Sequence, residues 1–419
     1  MEQSLSLCQL LDPQIMADPY PFYRTLRETD PVFWDPFLHA WVVTSYEHVV
    51  TVLLRFSAER TLTSEQLAGL GLGALNPIFD VIRQQMLFRD PPVHTRLRSL
   101  CASAFTPARA AKLRSHIQEI VDALIDRFIE NGRADIVADF AAPMPGIVTA
   151  RMLGVPVEHH EDLKRWSLDF AEILGNFQHN PDRIARVCES VEEMTAYFRA
   201  AVRSQATHPT EGLVNALVTA EVDGRRLTEE EIIANTILTM IGGQETTTNL
   251  IGSGLITRLR HPEQMRMIRE DPSLIPGAVE ELLRFESPIQ HTARVAREDV
   301  MLGGKQIRRG QSVIAVIAAG NRDPNRFPNP DVLDLKRTDN RHLAFGWGAH
   351  FCFGAPLARI EGQIAFATLL ERLHNLELLS DTVAWHENLG LRGLTSLPVR
   401  FERASARCAS DLQLHFMEA

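Results

Sequence analysis

One cysteine stands where its sulfur can be held as an anion. Cys352 follows two glycines, Gly346 and Gly348, that let the backbone turn tightly, and precedes Gly354, which leaves room for amide groups beside the sulfur. Pro356 fits the first turn of a helix, and Leu357, Ile360, Ile364 and Ala367 continue it at helical spacing. Cys352 therefore sits just ahead of a helix N-terminus, where the dipole and unpaired N–H groups favour thiolate over thiol. Such a thiolate suits a nucleophile, a zinc ligand or an axial haem ligand. No second cysteine lies at C-x-x-C spacing, so structural zinc has little support. The plainer alternative is a buried structural cysteine beside a glycine turn.

Three other groups of residues carry chemistry. In the run Met240 to Asn249, two adjacent glycines (Gly242, Gly243) and three threonines interrupt a helical pattern, at roughly 1 kcal/mol per glycine relative to alanine. That conflict marks function: the glycines permit close approach of a flat ligand and a local widening of the helix, beside which Thr246 offers a hydroxyl and Glu245 an exchangeable proton. A kinked core helix is the alternative. His94 and Arg98 are spaced i, i+4 after Asp90-Pro91-Pro92 and share one helix face. Glu281 and Arg284, spaced i, i+3, also face together, although a lone pair of this kind is weak evidence.

The pattern Phe345-x-x-Gly348-x-His350-x-Cys352-x-Gly354 is similar, at each fixed position, to the haem-binding signature of the cytochromes P450. The Gly243 to Thr246 run resembles the distal helix motif of that family, and the order of motifs agrees from about residue 18 to 401. The resemblance implies a monooxygenase that holds haem b, with Cys352 ligating the iron. It makes His94, Arg98, Arg294 and His350 the partners of the two haem carboxylates, which need cationic hydrogen-bonding groups when buried. Phe345, Gly346, Gly354 and Gly243 are further haem contacts by the same carry-over. Glu245 and Thr246 organise the water that delivers protons during dioxygen activation, and Glu281, Arg284 and Arg337 form a structural lock behind the cysteine loop.

The same resemblance places Leu87 in a substrate-covering segment and Phe170 and Leu174 in the roof of a substrate pocket. Thr239, Met240 and Gly243 are expected on its helical wall, Ile289, Gln290 and Thr292 on an extended stretch, and Leu394 and Thr395 at a last turn. The implied reaction inserts one oxygen atom from O2 into a hydrophobic small molecule, by hydroxylation or epoxidation, in secondary-metabolite biosynthesis. Two other readings stay open: peroxide-driven or non-inserting haem-thiolate chemistry, and a haem protein that binds a ligand without turnover. With no flavin or iron–sulfur segment in the sequence, electrons are expected from a ferredoxin and its reductase. Arg96, Arg109 and Lys112 are candidates for a basic docking patch.

The elements that must position these residues read as mainly α with small β-sheets, in a single domain over 1–419. Thr228 and Glu231 form a capping box opening a helix that runs to about Leu259. Helical patterns also cover 110–128 and 278–285. Val32 to Trp34 and Ala40 to Thr44 read as a hairpin, and another turns at Gly303-Gly304. Between Leu67 and Leu87 a Gly/Leu-rich stretch without periodicity reads as a long loop over an apolar pocket. His159 and His160 fall in a polar loop.

Of the 419 residues, 45% are hydrophobic and 23% charged, enough for a sizeable core, and the net charge of −10 argues against a general nucleic-acid binder. No apolar run of 18 residues, no signal-peptide layout and five scattered cysteines fit a cytoplasmic monomer without disulfides or a membrane span.

Overall fold

The computed structural model describes residues 5–104, 106–173, 181–205, 207–380 and 382–404. It is mostly helical. The helices that shape the interior are α1 (Asn76–Gln84), α2 (Val93–Ala104), α3 (Arg114–Asp126), α4 (Pro143–Leu153), α5 (His160–Ala171), α6 (Pro181–Ser204), α7 (Glu229–Leu259), α8 (Ile275–Phe285) and α9 (Ala355–Arg372). The strands are β1 (Val32–Asp35), β2 (Ala40–Val43), β3 (Arg133–Asp135), β4 (Thr292–Val295), β5 (Val300–Leu302), β6 (Lys305–Ile307), β7 (Ser312–Ala315), β8 (Leu373–Leu378) and β9 (Pro398–Arg403).

Helix α7 begins where the capping box requires: Thr228 Oγ1 accepts from the Glu231 amide at 3.2 Å, and Glu231 Oε2 accepts from the Thr228 amide at 3.0 Å. Apolar residues surround most of α7, so it can only be stable when enclosed. Helices α4, α5, α6 and α9 pack around it and build the larger apolar core. Two smaller apolar clusters lie on the two faces of a four-stranded sheet of order β1-β2-β7-β4. In that sheet β1 and β2 form the expected hairpin, with Trp34 opposite Trp41, and β2 runs parallel to β7. A second sheet has the order β3-β9-β8, and β5 and β6 form the hairpin turning at Gly303 and Gly304, both in the left-handed region.

Two segments differ from the sequence reading. The stretch expected as a loop between Leu67 and Leu87 is largely helical: a helix Ser64–Gly69, a turn Gly73–Leu75, then α1. Thr63 and Gln66 form a capping box there, and Ile78 and Ile82 face inward one turn apart on α1. The glycines only punctuate these helices. The pattern over 110–128 is likewise split, because the chain turns at Leu113 between a helix Pro107–Lys112 and α3.

Behind the cysteine loop, α8 delivers Glu281 and Arg284, both wholly buried. Arg284 Nε and Nη2 donate to the Glu281 carboxylate at 2.8 and 2.7 Å, and Arg337 Nε donates to the same group at 3.2 Å. Glu281 also accepts from Asn340 and from the Asp334 amide, while Arg284 Nη1 donates to the carbonyls of Asn321 and Pro330. One carboxylate thus gathers the irregular 321–340 stretch onto α8. A neighbouring pair, Glu280 with Arg359 at 2.7 and 2.8 Å, ties α8 to α9. Burial alone would raise the Glu280 carboxyl, but hydrogen bonds from Arg359 and His342 bring it down to about 2.

Candidate functional site

Between α7 and the cysteine loop lies a cavity of about 800 Å3. Its floor is the loop. The Cys352 amide donates to Phe345 O at 2.8 Å and the Phe351 amide to Gly348 O at 3.0 Å, with Gly346 and Gly348 both in the left-handed region (φ 72° and 69°). A Cβ at 348 would also come within 2.8 Å of the tip of the exposed Leu54 side chain, which can shift, so it is the left-handed backbone that favours glycine there. At 354 a Cβ would lie 3.7 Å from Sγ, an ordinary contact, so the sulfur itself does not demand that glycine.

The Cys352 side chain opens onto the cavity, deep inside the molecule. Burial raises its thiol above the ordinary value, while amide hydrogen bonds from Gly354 and Ala355 and the charges of Arg98 and Arg359 work the other way. The amides and cations therefore favour the thiolate against an apolar setting. A bound cation would complete that balance.

His94 and Arg98, one turn apart on α2, converge from one side with His350 and Arg294. The rings of His94 and His350 lie 4.1 Å apart, centroid to centroid. Arg294 donates to Ala293 O at 2.8 Å, and Arg98 Nη2 donates to Phe351 O at 2.6 Å, pinning α2 to the loop. Arg60 joins them, with its guanidinium 4.4 Å from the Phe88 ring. These groups repel one another. His350 is brought down to about 3 by burial, His94 and Arg294, and Arg60 to about 9 by burial and Arg294. His94 Nε2 and Arg294 Nε are buried without a hydrogen-bond partner. Crowded guanidinium and imidazole groups with unsatisfied nitrogens call for an anionic occupant, and the two carboxylates of a haem b would fit that demand.

Along α7, Thr239, Gly242, Gly243 and Thr246 line the cavity at i, i+3, i+4 and i+7. The helix is not widened at the glycines as expected; it runs unbroken, and Thr246 Oγ1 donates back to Gly242 O at 2.7 Å. Glu245 is turned from the cavity toward α5. Burial raises its carboxyl to about 7, against the lowering effect of Lys164. In an unfolded chain the same group titrates near 4.3, so between these values the folded protein holds a proton the unfolded chain has lost, and stability falls as pH rises. Glu245→Gln should remove that loss. Urea unfolding at pH 5 and pH 7.5 should show the native protein losing on the order of 3 kcal/mol more than the variant over this interval.

Of the residues expected on the pocket walls, Leu87, Thr239, Gly243, Ile289 and Thr292 line the cavity. Five expected wall residues are elsewhere. Met240 is buried among apolar residues on another face of α7. Phe170 is buried in the same core, one turn before Glu172 and Ile173, which do line the cavity. Gln290 points away, accepting from Tyr23 Oη at 3.0 Å and donating to Ser287 O at 2.7 Å. Leu394 packs into the core, bridged to Trp385, and the Thr395 hydroxyl donates to Ala384 O, leaving Leu391, bridged to Ile289, as the wall residue. Leu174 lies outside the described residues.

Arg60, Glu172, Arg183 and Glu361 also line the cavity, as does His291, which is buried there rather than solvated. Glu361 left a signal: it falls four residues after Leu357 on the apolar face of α9, where a charge is out of place. Its carboxyl is raised to about 8 by burial and hydrogen-bonds Thr247. Arg96 is part-exposed and paired through both terminal guanidinium nitrogens with Glu231, which neutralises its charge in any docking patch. His159 and His160 are part-buried rather than solvated, bonded to Tyr197 Oη and Val157 O.

A family model described as "Cytochrome P450" matches residues 74–399. The chain is 38% identical over 393 residues to a biotin biosynthesis cytochrome P450 of Bacillus subtilis (strain 168), covering 93% of this chain and 98% of that protein. It is 35% identical over 402 residues to the polyketide biosynthesis cytochrome P450 PksS of the same organism, covering 92% and 96%. Among solved structures it resembles P450BioI in complex with hexadec-9Z-enoic acid ligated acyl carrier protein, with a TM-score of 0.88 at 38% identity over 93% of this chain and 99% of that one.

Proposed function

The chain belongs to the cytochrome P450 family of haem b monooxygenases, and on that premise we propose that it hydroxylates or epoxidises a hydrophobic, acyl- or polyketide-like small molecule in a biosynthetic pathway. The observation that carries this reading is a single cavity whose floor is an open cysteine sulfur, whose side is a cluster of cations and whose remaining walls are largely apolar. The two relatives named for biotin and polyketide biosynthesis support the substrate class.

In this reading Cys352 holds the iron and His94, Arg98, Arg294 and His350 hold the propionates, with Phe345, Gly346, Gly354 and Gly243 against the ring. Haem held by a thiolate supplies the activation of dioxygen. The chain's part is to place the substrate, exclude water and deliver protons. Thr246 presents its hydroxyl at the cavity wall, and Glu245, next to it and buried against α5, is poised near neutral pH to pass protons inward. Glu281, Arg284 and Arg337 keep the loop behind the sulfur in place.

Among the described residues no helix is long and apolar enough to cross a membrane. We place the protein in the cytoplasm, as a monomer reduced by a ferredoxin and its reductase, with the exposed Arg109 and Lys112 on the docking face. Turnover under 18O2 with such a donor system tests the reaction. One labelled oxygen atom per product is expected; unlabelled product, or oxidation driven only by added peroxide, would overturn it.

A further inference from the structure

Glu280 and Glu281 stand side by side on α8 and serve different ends. Glu281 gathers the 321–340 stretch, whereas Glu280 faces α9 and accepts from Nε and Nη2 of Arg359, at 2.7 and 2.8 Å. The side chains of Arg359 and Glu280 are 33% and 26% exposed, so as an ion pair they add little to stability. Their surroundings point to a further role. The Arg359 guanidinium carbon lies 4.5 Å from the centre of the Phe345 ring, which lines the cavity and whose carbonyl accepts from the Cys352 amide. His342 is buried against the same ring, 5.7 Å between centroids. Its Nδ1 accepts from the Ala344 amide at 3.2 Å, which leaves Nε2 to donate to Glu280 at 3.3 Å. Phe345 is thus held between a guanidinium and an imidazole that share one carboxylate.

A charge set this close to the loop acts on the sulfur. Arg98 and Arg359 are the two guanidinium groups that draw Cys352 toward its anion. Arg98 lines the cavity, where the haem reading commits it to a haem carboxylate. Arg359 stands behind the loop, between α8 and the Phe345 ring. Its charge reaches the sulfur past that ring, through a medium that screens it less than water would. Glu280 opposes it. How much of the Arg359 charge the sulfur feels therefore depends on Glu280, and on the hydrogen bond by which His342 holds that carboxylate.

We propose that Arg359 is a positioning residue whose charge, offset by Glu280, sets how readily an iron held by Cys352 takes up an electron. The proposal rests on the haem-thiolate reading and adds to it residues outside the cavity. The step is the one-electron reduction of ferric to ferrous iron, with the ferredoxin donor oxidised. The added electron is favoured by a nearby cation and opposed by a nearby carboxylate, so the two side chains work in opposite directions on the same equilibrium.

The test is a spectroelectrochemical titration of the substrate-free holoenzyme, with the reduction potential read from the haem absorption. Arg359→Gln should shift the equilibrium toward the oxidised form by about threefold or more, about 30 mV for one electron. Glu280→Gln should shift it by a similar factor toward the reduced form. Arg359→Lys, which keeps the charge, and the double variant Arg359→Gln/Glu280→Gln, which removes both charges, should each stay within about twofold of the native protein. Arg359→Met keeps the packing on Phe345 and carries the same expectation as Arg359→Gln, in whose place it is read if that variant loses haem. Single variants that both stay within about twofold, single variants that shift in the same direction, or a double variant further from native than either single would mean a purely structural tie and overturn the proposal. The reduced carbon monoxide spectrum of the same preparations keeps this apart from the parent reading: a thiolate signature with any of those outcomes removes the charge effect alone, and its absence in the native protein removes the haem-thiolate reading and this proposal with it.

Discussion

Cys352→Ser should retain the fold and lose the chemistry. The side chain faces the cavity rather than the core, so the substitution should move unfolding stability by no more than about 1 kcal/mol. A serine hydroxyl cannot donate electron density as a thiolate does. We expect the far-red-shifted Soret band of the reduced, carbon-monoxide-bound protein to vanish and turnover to fall on the order of a thousandfold, about 4 kcal/mol of barrier. If the variant kept the native spectrum, a different residue would be the ligand, and every role assigned around this loop would have to be withdrawn.

The largest effect on stability should come from Glu281→Ala. The carboxylate is wholly buried and accepts from Arg284, Arg337, Asn340 and the Asp334 amide. Removing it leaves Arg284 as a buried charge without its counter-ion, a change that typically costs about 3–5 kcal/mol. Against a total stability on the order of 5–15 kcal/mol, this is enough to empty much of the folded state near body temperature. Urea unfolding should show the loss, and haem content after purification should fall with it, because Asn321, held by Arg284, also accepts from the Leu343 amide at the head of the cysteine loop. Arg337→Ala should cost less, since Arg284 would still answer Glu281. A loss below about 1 kcal/mol for Glu281→Ala would mean that the network behaves like a surface ion pair and does not hold the loop.

What could be read from the chain was chemistry carried by neighbours in sequence. The cysteine loop, the His94–Arg98 spacing, the Thr228 capping box and the Gly303-Gly304 turn each need only a few consecutive residues to declare themselves. Wall positions depended on which way a side chain turns. On α7 the cavity is lined by 238, 239, 242, 243, 246, 247 and 250, while Met240 is buried in the core beside that face. In the stretch from Ile289 to His291, alternate side chains point to opposite sides, which puts Ile289 and His291 at the cavity and sends Gln290 to Tyr23. Arg60 offered no signal: it lies in no periodic element and reaches the cation cluster only through the tertiary fold. The loop expected over the pocket was misjudged because its glycines outweighed the capping box at Thr63 and the inward pair Ile78 and Ile82.

The wall formed by α1 is fastened at one end. Asn235 on α7 accepts from the Met86 amide at 2.9 Å and donates to Gln84 O at 3.1 Å and to Glu231 O at 2.8 Å. Pulling that end away would strand two buried backbone groups, at about 1–3 kcal/mol each. The opposite end carries the exposed Leu70 and the left-handed Gly71, and its tie is weaker: the Cys188 thiol on α6 donates to Ala74 O at 3.4 Å. The segment is therefore held more firmly at its Asn235 end than near Leu70, so loosening of this wall should begin at the Leu70 end.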